Sequence, residues 1–195
     1  MTRAPGSGSV LLGVALLCAA LLAGCTSPNP NLYTIAPVPG TVVASRPKVI
    51  LLREIGLARY LDRPEIVRSS ENYRLGVMAN DLWGESLRAM IGRVLVEELS
   101  QRLPGSTIYS ETGAVSTRPD KTVELNIDRL DEDSTGHLVL LAQAAVAVTG
   151  RRGTIPRSFR IVVPTTGADT GAEVAAISGA LGQLADRLAV MVSQP

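Results

Sequence analysis

Fourteen apolar residues, Val10 to Ala23, follow the lone cation Arg3 and end at Gly24-Cys25. An apolar run of that length behind a positive charge is the pattern of a secretory signal, and it is shorter than the roughly 20 residues that span a bilayer as a helix. Residues 1–24 therefore read as a segment to be removed, which leaves 171 residues to fold. Cys18 departs with the signal, so the mature chain holds one cysteine, at its first position, and no internal disulfide is open to it. A chain of this size builds a core without covalent staples. Its hydrophobic pattern is then the guide to its fold.

Residues 25–47 read as a tether followed by a Pro/Gly-rich N-terminal segment, with Pro37, Pro39, Gly40 and Pro47 marking irregular backbone, and 48–195 as a single domain. Lys48 to Ile55 is, after Lys48, an apolar run broken only by Arg53 and Glu54, and it predicts a buried strand. Glu65 to Ser69, then Tyr73, Leu75 and Val77 in alternation with polar or small residues, predict a hairpin. From Leu82 to Leu103 the period becomes helical, with Leu87, Ile91, Leu95 and Leu99 four apart, and Leu103-Pro104-Gly105 ends it. Val123, Leu125 and Ile127, then Leu138 to Val148, then Phe159, Ile161 and Val163 predict a three-stranded meander joined by turns at 131–136 and 150–153.

Thr170-Gly171-Ala172-Glu173 has the spacing of a capping box, and Val174, Ile177, Leu181, Leu184, Leu188 and Met191 recur at intervals of three and four. Such a stripe is more often packed on its own sheet than on a partner. Gly179 and Gly182 suit close approach of a neighbour. The fold class expected is α+β: an antiparallel sheet of about five or six strands with two helices packed on one face.

The mature chain carries 18 basic and 18 acidic residues, so it lacks the basic excess of a nucleic-acid binder. His137 is the only histidine, and with no thiol beyond Cys25 a His/Cys metal cluster cannot be assembled. No Gly-x-Ser-x-Gly elbow raises a serine toward His137, which reads as a solvated turn residue. Asp131-Glu132-Asp133-Ser134-Thr135-Gly136 begins like a calcium loop, but its twelfth position is Ala142, so it reads as a turn whose acids face water. No catalytic residue, metal or cofactor is expected.

Leu22-Ala23-Gly24-Cys25 resembles the bacterial lipobox, in which diacylglycerol is attached to the cysteine sulfur, cleavage precedes it, and the freed amine is usually acylated. Several acyl chains on one residue anchor a protein stably, where one chain binds only reversibly. Residue 26 is Thr rather than the Asp that retains lipoproteins in the inner membrane, which points to the periplasmic leaflet of the outer membrane. The tether Thr26 to Pro30 reaches less than about 20 Å, so the domain is held beside that membrane.

Three further segments resemble the ABC-type transport auxiliary lipoproteins, the PqiC/YmbA-like family: Asn31 to Ile35 (NLYTI), Tyr60 to Val67 (YLDRPEIV) and Asn80 to Leu87 (NDLWGESL). The family commonly has Trp-Ala-x-Pro-Leu in the third, where this chain has Gly84 and Ser86. The resemblance implies a non-enzymatic envelope component that docks an Mce-domain tunnel from the inner membrane and lets phospholipid or another hydrophobic molecule pass. An oligomeric tunnel is matched most easily by a homo-oligomeric ring. Candidate partner contacts are Arg59, Tyr60, Asp62 and Arg63 in one loop, Trp83 before the first helix, and Arg151 and Arg152 at a hairpin tip, where lipid headgroups are a second possible contact. Each has a plainer reading: Trp83 as a core plug over Leu87, and the two loops as solvated turns. The rival classes are a carrier that binds acyl chains inside the domain and an assembly lipoprotein of another envelope machine.

Overall fold

The structure, a computed structural model, describes residues 29–115 and 117–194. The signal segment 1–24 and the Leu22-Ala23-Gly24-Cys25 motif lie outside the described residues. In chain order the elements are β1 (Asn31–Tyr33), β2 (Val49–Leu52), β3 (Gly56–Leu57), β4 (Glu65–Ser69), β5 (Gly76–Trp83), α1 (Leu87–Arg102), β6 (Thr107–Ser110), β7 (Lys121–Glu132), β8 (His137–Val148), β9 (Thr154–Pro164) and α2 (Thr170–Ser193).

Strand β7 organises the sheet. One of its edges pairs antiparallel with β8 along its whole length, and β8 pairs in turn with β9, as the meander pattern predicts. Its other edge takes three short strands end to end, all parallel to it: β2 at 121–123, β3 at Asn126 and Ile127, and β4 at Glu132. β6 lies parallel to β2, and β1 lies parallel to β5, outside the β4–β5 hairpin. The sheet is thus mixed and nine-stranded, not the purely antiparallel sheet of five or six strands that the sequence suggests. β1, β3 and β6 hold three, two and four residues, too few for a period to show.

The sheet is covered on one face. Val123, Leu125 and Ile127 of β7, Leu138, Leu140, Ala142 and Ala144 of β8 and Ile161 of β9 are buried with the apolar residues of both helices in one cluster. Glu124, Asn126, Gln143 and Arg160 on the opposite face are exposed. A β-bulge between Ile127 and Arg129 shifts this alternation, so that Leu130 joins the core in place of Asp131. Asp131 nevertheless does not face water: it is fully buried, accepting from Tyr60 Oη at 2.7 Å and from Arg129 Nε at 2.8 Å.

The stripe on α2 is core, with Val174, Ile177, Leu181, Leu184 and Leu188 all buried. By length and composition α2 is apolar enough to cross a membrane, but most of it is buried inside the domain. Its N-cap is Asp169, which accepts from Ala172 N at 2.8 Å, so the expected Thr170–Glu173 capping box does not form. The Thr170 hydroxyl donates to Asp81 instead, and Glu173 is buried against Arg68 at 3.3 Å. Tertiary partners outcompete the local cap. Helix α1 likewise starts five residues later than its apolar period suggests, because 82–83 belong to β5, where Trp83 N donates to Pro64 O at 2.8 Å. Tyr73 and Leu75, placed by alternation in the hairpin's second strand, belong instead to its turn. There Asn72 and Tyr73 adopt φ 56° and 61°, a left-handed conformation that costs a tyrosine about 1 kcal/mol.

Residues 34–43 run without regular structure across both helices. Ile35 N donates to Met90 Sδ, Ala36 N to Ser178 Oγ and Val38 N to Glu98 Oε1, and Val43 N to Arg102 O. Gly40 and Gly182 make the passage possible: a Cβ on Gly40 would sit 2.1 Å from the Arg102 guanidinium, and one on Gly182 3.0 Å from Val38 Cβ. Arg102 is 1% exposed, and its guanidinium satisfies Asp186 at 2.6 Å and the carbonyls of Val38, Glu98 and Gly182.

Two buried acids make stability fall as pH rises. Burial pushes Glu98 up to about 7 against the pull of the Val38 N–H and Arg102, with Asp186 and Glu97 adding repulsion. Burial likewise pushes Glu173 up to about 7, with Glu132 and Asp131 adding to it and Arg68 opposing. Among the described residues Glu98 Oε2 and Glu173 Oε1 have no partner. Between their ordinary value of 4.5 and about 7, the native state holds protons that the unfolded chain has released, so unfolding becomes easier across that window. The melting temperature is expected to drop by roughly 5–10 °C from pH 5 to 7.5. Calorimetry of the wild type beside the Glu98→Gln, Glu173→Gln double variant checks it: the double variant should show a flattened profile, and a wild-type profile rising over this range would contradict the assignment.

Candidate functional site

The loop from Ala58 to Pro64 folds back twice, Leu61 N donating to Ala58 O at 2.9 Å and Arg63 N to Leu61 O at 3.0 Å. This buries Leu61 in the core and leaves Arg59 and Asp62 exposed. Where β5 ends, Gly84 N donates to Tyr33 O at 2.8 Å and turns the chain into α1. Loop and turn meet in a surface notch of about 280 Å³, lined by Asp62, Arg63, Pro64, Trp83, Glu85, Ser86 and Leu87. A second hollow of about 170 Å³ lies beyond Ser86, between Arg53, Glu54, Arg88 and Gly92.

Paired charges frame both. Arg88 reaches Asp62 at 2.9 Å and Glu54 at 3.8 Å and donates to Ile55 O. Arg63 holds Glu65 at 2.9 Å, keeping that carboxyl below its usual range, and Arg93 holds Glu85 at 2.7 Å. Exposed pairs of this kind contribute little to stability, about 0–1 kcal/mol each, and can exchange partners. Ser86 makes no side-chain cap on α1, and the first turn carries no acid.

Of the residues singled out in the sequence, the structure brings Asp62, Arg63 and Trp83 into this notch, with Arg59 beside them, its carbonyl accepting from Asp62 N at 3.3 Å. Trp83 is 7% exposed and mainly fills the core over Leu87. Tyr60 turns inward to Asp131, and burial together with that carboxylate pushes its phenol well above its ordinary value.

Arg151 and Arg152 lie elsewhere, exposed at the β8–β9 tip beside the C-terminal end of α2. Lys48 Nζ donates there to Val192 O at 3.0 Å, and Lys121 donates to Gln194 O, so each lysine meets the helix's unpaired carbonyls. Burial lowers Lys121 to about 8, with Lys48 and Arg151 adding repulsion. The sequence shows no sign of this basic end, because its members are separated by up to about a hundred residues. His137 opens β8 and accepts or donates at 2.8 Å with Thr135 Oγ1. Among the described residues no three His, Cys, Asp or Glu side chains converge as metal ligands.

A mixed sheet covered on one face by two helices, with ion pairs framing two surface notches, defines an α+β domain. The chain belongs to the ABC-type transport auxiliary lipoprotein component family, whose model matches residues 33–189. No curated protein matches it. Its fold is similar to the crystal structure of an uncharacterized protein at TM-score 0.72 and 16% identity, covering 85% of this chain and 99% of that one. It is also similar to a protein from Xanthomonas campestris at TM-score 0.68 and 19% identity, covering 85% and 94%. At such identities the likeness is one of fold.

Proposed function

We propose that this protein is a lipid-anchored periplasmic component of an ABC/Mce-type intermembrane lipid transport system. It is held on the outer membrane through Cys25 and docks the tunnel that an inner-membrane Mce-domain protein extends toward it. The observation that carries the reading is the family match over essentially the whole folded domain, directly behind a lipobox. A domain on a tether of five residues cannot shuttle across the periplasm, so its partner has to reach it. Docking then uses exposed polar surface, and the notch at Asp62 and Arg63 and the tip at Arg151 and Arg152 offer it. A ring of copies is the assembly that best matches an oligomeric tunnel.

Photocrosslinking in cells from positions 59, 62 and 152 tests this. Adducts with an Mce-domain protein are expected from at least one of these sites, and adducts between copies would report the ring. A clean absence from all three, in protein that is folded and acylated, would remove these surfaces from the docking face.

A further inference from the structure

The turn between β4 and β5 carries two side chains the fold does not use. Tyr73 is fully exposed, and Leu75, two residues on, is 47% exposed, with exposed Arg74 between them. Arg74 N donates to Glu71 O, closing a two-residue turn in which Asn72 and Tyr73 are both left-handed. Glycine makes such a turn without strain and asparagine with little, but tyrosine does not. An aromatic ring held in water on a strained backbone points to a contact outside the chain.

The direction of β1 says where that contact lies. β1 runs parallel to β5 with Asn31 opposite Asp81, so the N-terminal end of β1 faces the side on which β5 begins, the side of this turn. Cys25 lies six positions before Asn31, and Leu75 six positions before Asp81. Both stretches cover about 20 Å in extended backbone. A bilayer that holds Cys25 is therefore within reach of the tip.

Resting on the Cys25 anchor proposed above, we infer that Tyr73 and Leu75 sit in the headgroup region of the membrane to which the chain is tethered, a second and non-covalent hold on the lipid surface. A tyrosine ring suits that depth, apolar body inward and hydroxyl at the water, and Arg74 can lie along the apolar boundary with its charge in the headgroups. The nearby acids are engaged within the domain, Glu71 by Arg129 at 3.1 Å and Ser134 N at 2.7 Å, and Asp133 by Thr135 N at 2.9 Å. The contact consequently fits a zwitterionic surface. It also orients the domain, because β5 leads away from the tip to the notch at Trp83, and the Arg151–Arg152 end lies by the C-terminus of α2. That helix is 24 residues, about 36 Å, long, and its N-terminal Thr170 meets β5 at Asp81.

The test uses the full-length gene expressed in cells, so that the chain is processed, and the membrane-extracted protein reconstituted in phosphatidylcholine vesicles containing brominated acyl chains. In the Tyr73→Trp variant the new indole should be blue-shifted and quenched several-fold more than native Trp83 in the wild type. Acylation at Cys25 is read by mass spectrometry on the same sample. An acylated, vesicle-bound chain whose indole at position 73 stays in water overturns the tip contact alone. A chain without acyl groups that also leaves the vesicles overturns anchor and tip contact together. Tyr73→Gly separates a membrane role from a folding role: it should melt no lower than the wild type, and a large drop would mean that Tyr73 serves the fold and would overturn the inference.

Discussion

Leu181→Asp is expected to leave no stable folded domain. Leu181 is 0% exposed, at the middle of the α2 stripe and one residue from Gly182, where the 34–43 strap and Arg102 cross the helix. Truncating such a leucine alone costs about 2–5 kcal/mol, and a carboxylate placed there without a partner adds several more. The whole domain is stabilised by only about 5–15 kcal/mol. Circular dichroism and the soluble yield read the outcome, with Leu181→Ala as the graded comparison, expected to melt lower by roughly 5–15 °C. A Leu181→Asp protein that melts like the wild type and loses a binding partner would make the stripe an interface and not a core.

Cys25→Ala is expected to abolish acylation altogether. The sulfur is the attachment atom in the lipobox reading, and the sequence offers no second cysteine after the signal. The variant should accumulate as an unprocessed precursor or a soluble form. Its domain should melt like the wild type, because the compact unit begins at Asn31, downstream of the change. Metabolic labelling with a fatty-acid probe, followed by membrane fractionation, decides. Label on the variant equal to that on the wild type would end the lipoprotein assignment of Cys25. Loss of label with an unfolded domain would show that the anchor also serves the fold.

The longest elements are the most legible in the sequence. The 3–4 spacing from Val174 to Met191 and the alternation of Val123, Leu125 and Ile127 each span several periods, and one buried face imposes each period on the residues themselves. The turns at 133–136 and 150–153 are likewise local, carried by glycines with positive φ. The candidate site is legible only in part. Asp62, Arg63 and Trp83 stand out through a family resemblance, while their meeting in one notch depends on Trp83 N finding Pro64 O.

What only the tertiary structure decides are the pairings that join distant segments. Whether a two-residue strand such as Gly56-Leu57 lies parallel or antiparallel to β7 leaves no mark on its composition. The Thr170–Glu173 pair has ideal spacing for a cap, yet Asp81 and Arg68 take its side chains, because a buried polar group must be satisfied by whatever the fold brings to it. The bulge at Asp128 brings Leu130 to the core, and Asp131, which the sequence places in a turn facing water, is buried because Tyr60 and Arg129 cover it. Local periodicity thus determines the two helices and the meander, through the burial of one face. The parallel pairings, the strap over Arg102 and the direction in which β1 leads back toward the β4–β5 tip are set by contacts between residues far apart in the chain, and no local pattern encodes them.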